Sequence, residues 1–265
     1  MCKRHIKWVV PILILALALG ITDLGAAAAR ALDIDIEINE ANFPDPFFRN
    51  YVSGKKIDLD RDGMLSAEEI AAATEINVSD MSIASMQGLA IFTALEQLYC
   101  NRNQLTELDI SKNANLQILY CFSNQLTELD VSNSKDLEWL GCDWNQLTEL
   151  NVSNNINLSI LSCAFNQLTE LDVSKNINLI QLDCSSNNLT ELDISQNTKL
   201  EWLNNSGNQM AVLKISNDKW LVPVLVALVL ALASCAWIYH MIATRRYHAD
   251  PKQAEGELVE VANGK

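Results

Sequence analysis

Three aspartates stand at alternate positions, Asp58, Asp60 and Asp62, followed by Gly63, Ser66 and, at the twelfth place of the stretch DLDRDGMLSAEE, Glu69. Carboxylates at that spacing suit a hard divalent cation, which takes six to eight oxygens. The glycine permits the sharp turn around the ion, and the last glutamate closes the sphere with both oxygens. Catalytic chemistry has less to work with. The histidines are His5, His240 and His248, so no His-based base, nucleophile partner or metal ligand exists between residues 32 and 219. No glycine-rich phosphate loop occurs. Recurring acids such as Glu149 and Glu170 leave a carboxylate-pair glycan hydrolase as the enzymatic alternative; the expectation is a protein that is not an enzyme.

The flanks of the acidic stretch read as helices. FPDPFFRNYVS forms an entering helix after Pro46, and SAEEIAAATEI a leaving helix with Ser66 as N-cap and Glu69 three residues on. Loop and flanks together resemble the EF-hand family. That resemblance implies Ca2+ as the bound ion, with side-chain ligands Asp58, Asp60, Asp62 and Glu69, the backbone carbonyl of Met64, and a water held by Ser66. EF-hands usually come in pairs, and no second loop is present: DIDIEINE, from Asp33, lacks the glycine and reads as a strand. A lone extracellular loop is expected to bind in the range of roughly 0.1–1 mM. The alternative is a solvated acidic turn without an ion.

Beyond this segment the chain repeats. Leu95, Leu116, Leu137, Leu158, Leu179 and Leu200 are each 21 residues apart, and the third unit reads LEWLGCDWNQLTELNVSNNIN. Five units match L-x-x-L-x-C-x-x-N-x-L, and the sixth departs at Asn205 and Met210. The pattern resembles the leucine-rich-repeat family in the form with Cys at the third buried place, common in bacterial surface proteins. It implies a solenoid with a parallel sheet on its concave face. One coil cannot bury its own apolar set, whereas stacked coils can, each touching only its neighbours. The recurring Asn103, Asn124, Asn145, Asn166, Asn187 and Asn208 are expected to form a ladder that satisfies backbone groups at the end of each strand. Residues Ile76 to Leu95 keep apolar positions without the spacing and read as a degenerate first coil.

Cys100, Cys121, Cys142, Cys163 and Cys184 recur once per coil. Coils about 4.8 Å apart place their side chains in register and pointing the same way, which strains a disulfide, so reduced buried thiols are expected.

Places 3, 5, 7 and 8 of each unit vary while the rest repeats. Strand alternation turns most of them to the concave face. They carry an aromatic band, Tyr99, Tyr120, Phe122, Trp139, Trp144, Phe165 and Trp202, the expected ligand-binding residues. Exposed aromatic patches usually mark contact surfaces. The partner would be a surface protein or a glycan.

The ends complete the organisation. Residues 1–31 combine Lys3, Arg4 and Lys7 with a short apolar run and an Ala29-Arg30-Ala31 site, and read as a signal peptide rather than an uncleaved anchor. Residues 219–243 contain an uncharged apolar run followed by Arg245 and Arg246, and read as a transmembrane helix with the 244–265 tail cytoplasmic. Residues 32–74 form the helical EF-hand-like cap and 75–218 the solenoid, an α+β ectodomain held at a cell membrane by one pass. Between 32 and 219 there are 28 acidic and 11 basic residues, which argues against nucleic acid as a partner. The expected function is calcium-capped, non-catalytic recognition or adhesion, with a structural cell-envelope protein as the alternative.

Overall fold

The computed structural model describes residues 35–215. The signal peptide, transmembrane helix and cytoplasmic tail read from the sequence lie outside the described residues. No helix among the described residues is long and apolar enough to cross a membrane.

Each coil contributes one three-residue strand to a seven-stranded parallel sheet: β3 (Glu75–Asn77), β4 (Gln97–Tyr99), β5 (Ile118–Tyr120), β6 (Trp139–Gly141), β7 (Ile160–Ser162), β8 (Gln181–Asp183) and β10 (Trp202–Asn204). Register advances by one unit at every step, so Leu98, Leu119, Leu140, Leu161, Leu182 and Leu203 align across the sheet. β9 (Glu191–Asp193) and β11 (Val212–Lys214) pair in parallel on another side of the last coils. The degenerate coil supplies β3, which joins β4 in the same register.

The strands are short because each coil must turn away at once to reach its other sides. In the third full repeat unit Leu137, Leu140, Cys142, Leu147 and Val152 are fully buried, with Leu150 at the margin. The turning backbone is satisfied by the predicted asparagine ladder. Asn145 Nδ2 donates to the Cys121 and Cys142 carbonyls (3.1 and 3.0 Å), and its Oδ1 accepts the Leu126 N–H (3.0 Å). Asn124, Asn166 and Asn187 repeat the pattern. A second ladder, which the sequence reading passed over, holds a further corner: Asn155, Asn176 and Asn197 each donate to two carbonyls of the preceding coil.

Ahead of the solenoid lie β1 (Ile36–Glu37), helix α1 (Pro46–Val52), β2 (Met64–Leu65) and helix α2 (Ala67–Ala72). The strand expected near Asp33 is β1, and it pairs antiparallel with β2. The leaving helix is shorter than the sequence pattern indicates, because residues from Glu75 onward are drawn into β3 by pairing with β4. Asp45 fastens α1 to the first coil: Oδ1 accepts the Phe47 and Phe48 N–H groups, and Oδ2 accepts those of Ala84 and Ser85. Phe43 packs between Phe48 and Phe92, so cap and solenoid share one core.

Candidate recognition face and metal site

The open face of the sheet carries the variable residues. In β4, β5 and β7 the central residue is buried and its neighbours half-exposed, as alternation requires. Places 3 and 5 therefore form two rows across the sheet. The Tyr99 and Tyr120 rings stack at 5.6 Å, and Phe122 meets Tyr120 edge-on at 6.4 Å. Gly141 follows in the Tyr120 row, where a Cβ would stand 2.6 Å from that ring. The glycine thus admits the tyrosine over β6.

Place 8 lies just past each strand, and there the backbone is left-handed: Arg102, Ser123, Trp144, Phe165 and Ser186 have φ between 52° and 55°, with Gly207 closing the series at 70°. Glycine, asparagine or aspartate suits such a position, whereas bulky side chains are strained in it. Trp144 and Phe165 occupy it nevertheless, stacked with centroids 3.8 Å apart and planes at 9°. Both remain more than a third exposed, as do Trp139 and Trp202 in the place-3 row. The predicted band thus divides into a half-buried group (Tyr99, Tyr120, Phe122) and two exposed sets flanking the later coils.

Between those sets the floor is polar. Asp143 accepts the Ser162 hydroxyl and the Ala164 N–H. Asp183 accepts the Ser185 N–H and hydroxyl and the Asn204 amide. Burial, opposed by the Ser162 hydrogen bond and reinforced by the Asp183 charge, pushes Asp143 up to about 6. Asp183 and Asp143 stand at places 5 and 7 of their units, and that position among the variable places was the available sequence signal.

In the cap, Asp58, Asp60 and Glu69 each bring a carboxylate oxygen within 4.8 Å of the others. Asp58 is 2% exposed, and its Oδ1 is buried without a hydrogen-bond partner. A buried carboxylate oxygen left over in a converging acidic set fits a hard cation. Gly63 has φ 82°, as the sharp turn requires. Asp62 stands outside this three-residue set and accepts the Met64 N–H; Met64 lies in β2. Ser66 forms the expected capping box: its hydroxyl donates to Glu69 Oε2 (2.8 Å) and accepts the Glu69 N–H (3.3 Å). Burial opposes the charged form of Glu69, but hydrogen bonds from Ser66, Leu59 and Asp60 outweigh it and lower the pKa.

The five ladder thiols are free and fully buried. Burial pushes Cys100 and Cys184 up to about 12, so they remain neutral packing groups without nucleophilic character. Glu149 and Glu170 stand exposed in a row that repeats with the coils.

No family model matches the chain. Over 71 residues it is 41% identical to Internalin J of Listeria monocytogenes serotype 4b (strain F2365), covering 27% of this chain and 8% of that protein. The solved functional domain of InlJ from Listeria monocytogenes, which includes a cysteine ladder, is 30% identical; the match covers 69% of this chain and 52% of that one with a TM-score of 0.46. The leucine-rich repeat domain of APL1B is 22% identical, with 54% and 46% covered and a TM-score of 0.50. The chain folds as a leucine-rich-repeat solenoid. It spans about half the length of those two solved chains and a small part of Internalin J.

Proposed function

We propose that the protein is a surface-displayed, non-catalytic recognition module that binds a partner through the open face of its sheet. The observation that carries this reading is the Trp144–Phe165 stack: two large exposed rings held at left-handed backbone positions that stability alone would give to glycine or asparagine. Local strain retained at an exposed aromatic pair is the signature of a contact surface. The similarity to Internalin J and the sequence signals at both ends support display at a cell surface, with residues 219–243 as the membrane anchor.

The cap would hold Ca2+ through Asp58, Asp60 and Glu69, with Asp62, the Met64 carbonyl and a water at Ser66 completing the set. The bound ion supplies positive charge to a crowded carboxylate cluster and ties the loop to α2. Its role is structural, since the cap covers the first coil and shares its core.

The test replaces Trp139 and Trp144 with alanine and measures adhesion of beads coated with the protein to cells and glycan arrays. Adhesion lost at unchanged melting temperature supports recognition. Equal adhesion by both forms, or none by either, favours the structural envelope reading.

A further inference from the structure

We infer that the sheet face of the last four coils binds an arginine-bearing extended segment of a partner protein. The inference rests on the recognition reading above. Among residues 138–144, 159–165, 180–186 and 201–207, the second to eighth places of those coils, the charged side chains are Glu138, Asp143, Asp183 and Glu201, with no lysine or arginine. The same four stretches present Trp139, Trp144, Phe165 and Trp202 at the surface. Carboxylates set between aromatic rings suit a planar cation, which gains a charge-assisted hydrogen bond from its edge and ring contact from its face.

The arrangement of the two rows narrows the chemistry further. Trp144 covers one side of the Phe165 ring. On the other side the place-8 row offers Ser186 and Gly207, whose ideal Cβ would lie only 3.0 Å from the Ser186 hydroxyl, so small groups fill that end of the row. A flat guanidinium can extend the stack there with the Asp183 carboxylate in the adjoining strand. The molecule uses the same combination internally across its first three coils, where Arg102 lies over the Phe122 ring at 5.9 Å while reaching Asp80 at 3.6 Å. A neutral sugar would also stack on the rings, but it would not compensate the Asp143 and Asp183 carboxylates between them.

The experiment uses the whole purified chain at 150 mM salt with a fluorescein-labelled peptide of six Arg-Ser-Gly repeats, its citrulline counterpart, and a neutral oligosaccharide set. Expected is binding of the arginine peptide, weakened at least tenfold by citrulline, by Asp143→Asn with Asp183→Asn, and by Trp144→Ala alone. The same charge change on the other side of the coils, Glu170→Gln with Asp172→Asn, should alter binding less than twofold. Equal loss in both double variants would reduce the effect to bulk acidity and overturn the inference, as would no peptide binding. Oligosaccharide binding that depends on Trp144, with no peptide binding, would sink the cation but leave the recognition face standing; loss of neither kind of binding in Trp144→Ala would sink both.

Discussion

The indole of Trp144 lies flat on the ring of Phe165 across neighbouring coils, and both residues hold φ at 54°. A left-handed conformation costs a non-glycine residue about 1–2 kcal/mol, and an aromatic pair returns about 0.5–1.5 kcal/mol. The two effects nearly cancel, so Trp144→Asn is expected to leave the unfolding free energy within about 1 kcal/mol of the parent while removing adhesion. Ser123→Gly, in the same row without a ring to lose, should stabilise by about 0.5–1 kcal/mol. Urea unfolding of both variants measures this. A large destabilisation by Trp144→Asn would make the indole a packing residue.

Asp143 gives a pH dependence of unusual sign. Its folded pKa lies above the ordinary carboxylate value, at about 6, so its contribution favours the folded state at low pH and is lost as pH rises through 6. Burial raises it, the Ser162 and Ala164 hydrogen bonds oppose the rise, and the Asp183 charge adds to it. Glu69, Asp109, Asp130 and Asp172 have lowered values, and their contributions disappear only as pH falls through the acid end of the carboxylate range. The melting temperature should therefore rise from pH 7 to pH 5 and fall below about pH 4. Asp143→Asn should flatten the first limb and leave the second; an unchanged first limb would assign it elsewhere.

The solenoid was legible because its cause is repetition. Leucines, cysteines and asparagines recurring every 21 residues leave one way to bury them, and Leu98 to Leu203 align accordingly. The aromatic band was legible as departure from the repeat. Its left-handed backbone was not, because Trp144 and Phe165 stand where local preference would place glycine, and only the turn forced by the coil explains them. Three-dimensional convergence was equally hidden. Nothing in the spacing shows that Asp45 reaches Ala84 and Ser85, or that Asp62 stands apart from Asp58, Asp60 and Glu69.

The two asparagine ladders should differ in cost. Asn166→Ala strands the buried Leu147 N–H and removes one bond each from the Cys142 and Cys163 carbonyls, which keep those from Asn145 and Asn187. The stranded N–H costs about 1–3 kcal/mol and each lost carbonyl bond about 0.5–1.5 kcal/mol, so a loss of about 2–5 kcal/mol is expected. Asn176→Ala strands no group, since the Val152 and Asn155 carbonyls keep the Asn155 and Leu158 N–H bonds, and it deletes an Oδ1 that is itself buried without a partner. Its cost should be the smaller by about 1–2 kcal/mol. Denaturant titration of the two variants decides it, and equal costs would show that the second ladder is as fully satisfied as the first.

Calcium should act on the whole solenoid through the cap. Asp58 Oδ1 is a buried oxygen without a partner, and the cap it belongs to is fixed to the first coil by Asp45. With a dissociation constant of roughly 0.1–1 mM, 10 mM calcium would stabilise the folded chain by about 1.4–2.7 kcal/mol, a rise of several degrees in melting temperature. Glu69→Gln retains a side chain able to complete the Ser66 capping box but loses a charged ligand. Its melting temperature in chelator should fall somewhat, because the amide keeps only one of the two oxygens that accept from Leu59 and Ser66, and the further calcium-dependent rise should disappear. Calorimetric titration of the whole chain should show the same loss of binding. A parent protein with no heat and no shift in calcium would leave DLDRDGMLSAEE a structural turn whose buried carboxylate is satisfied by water.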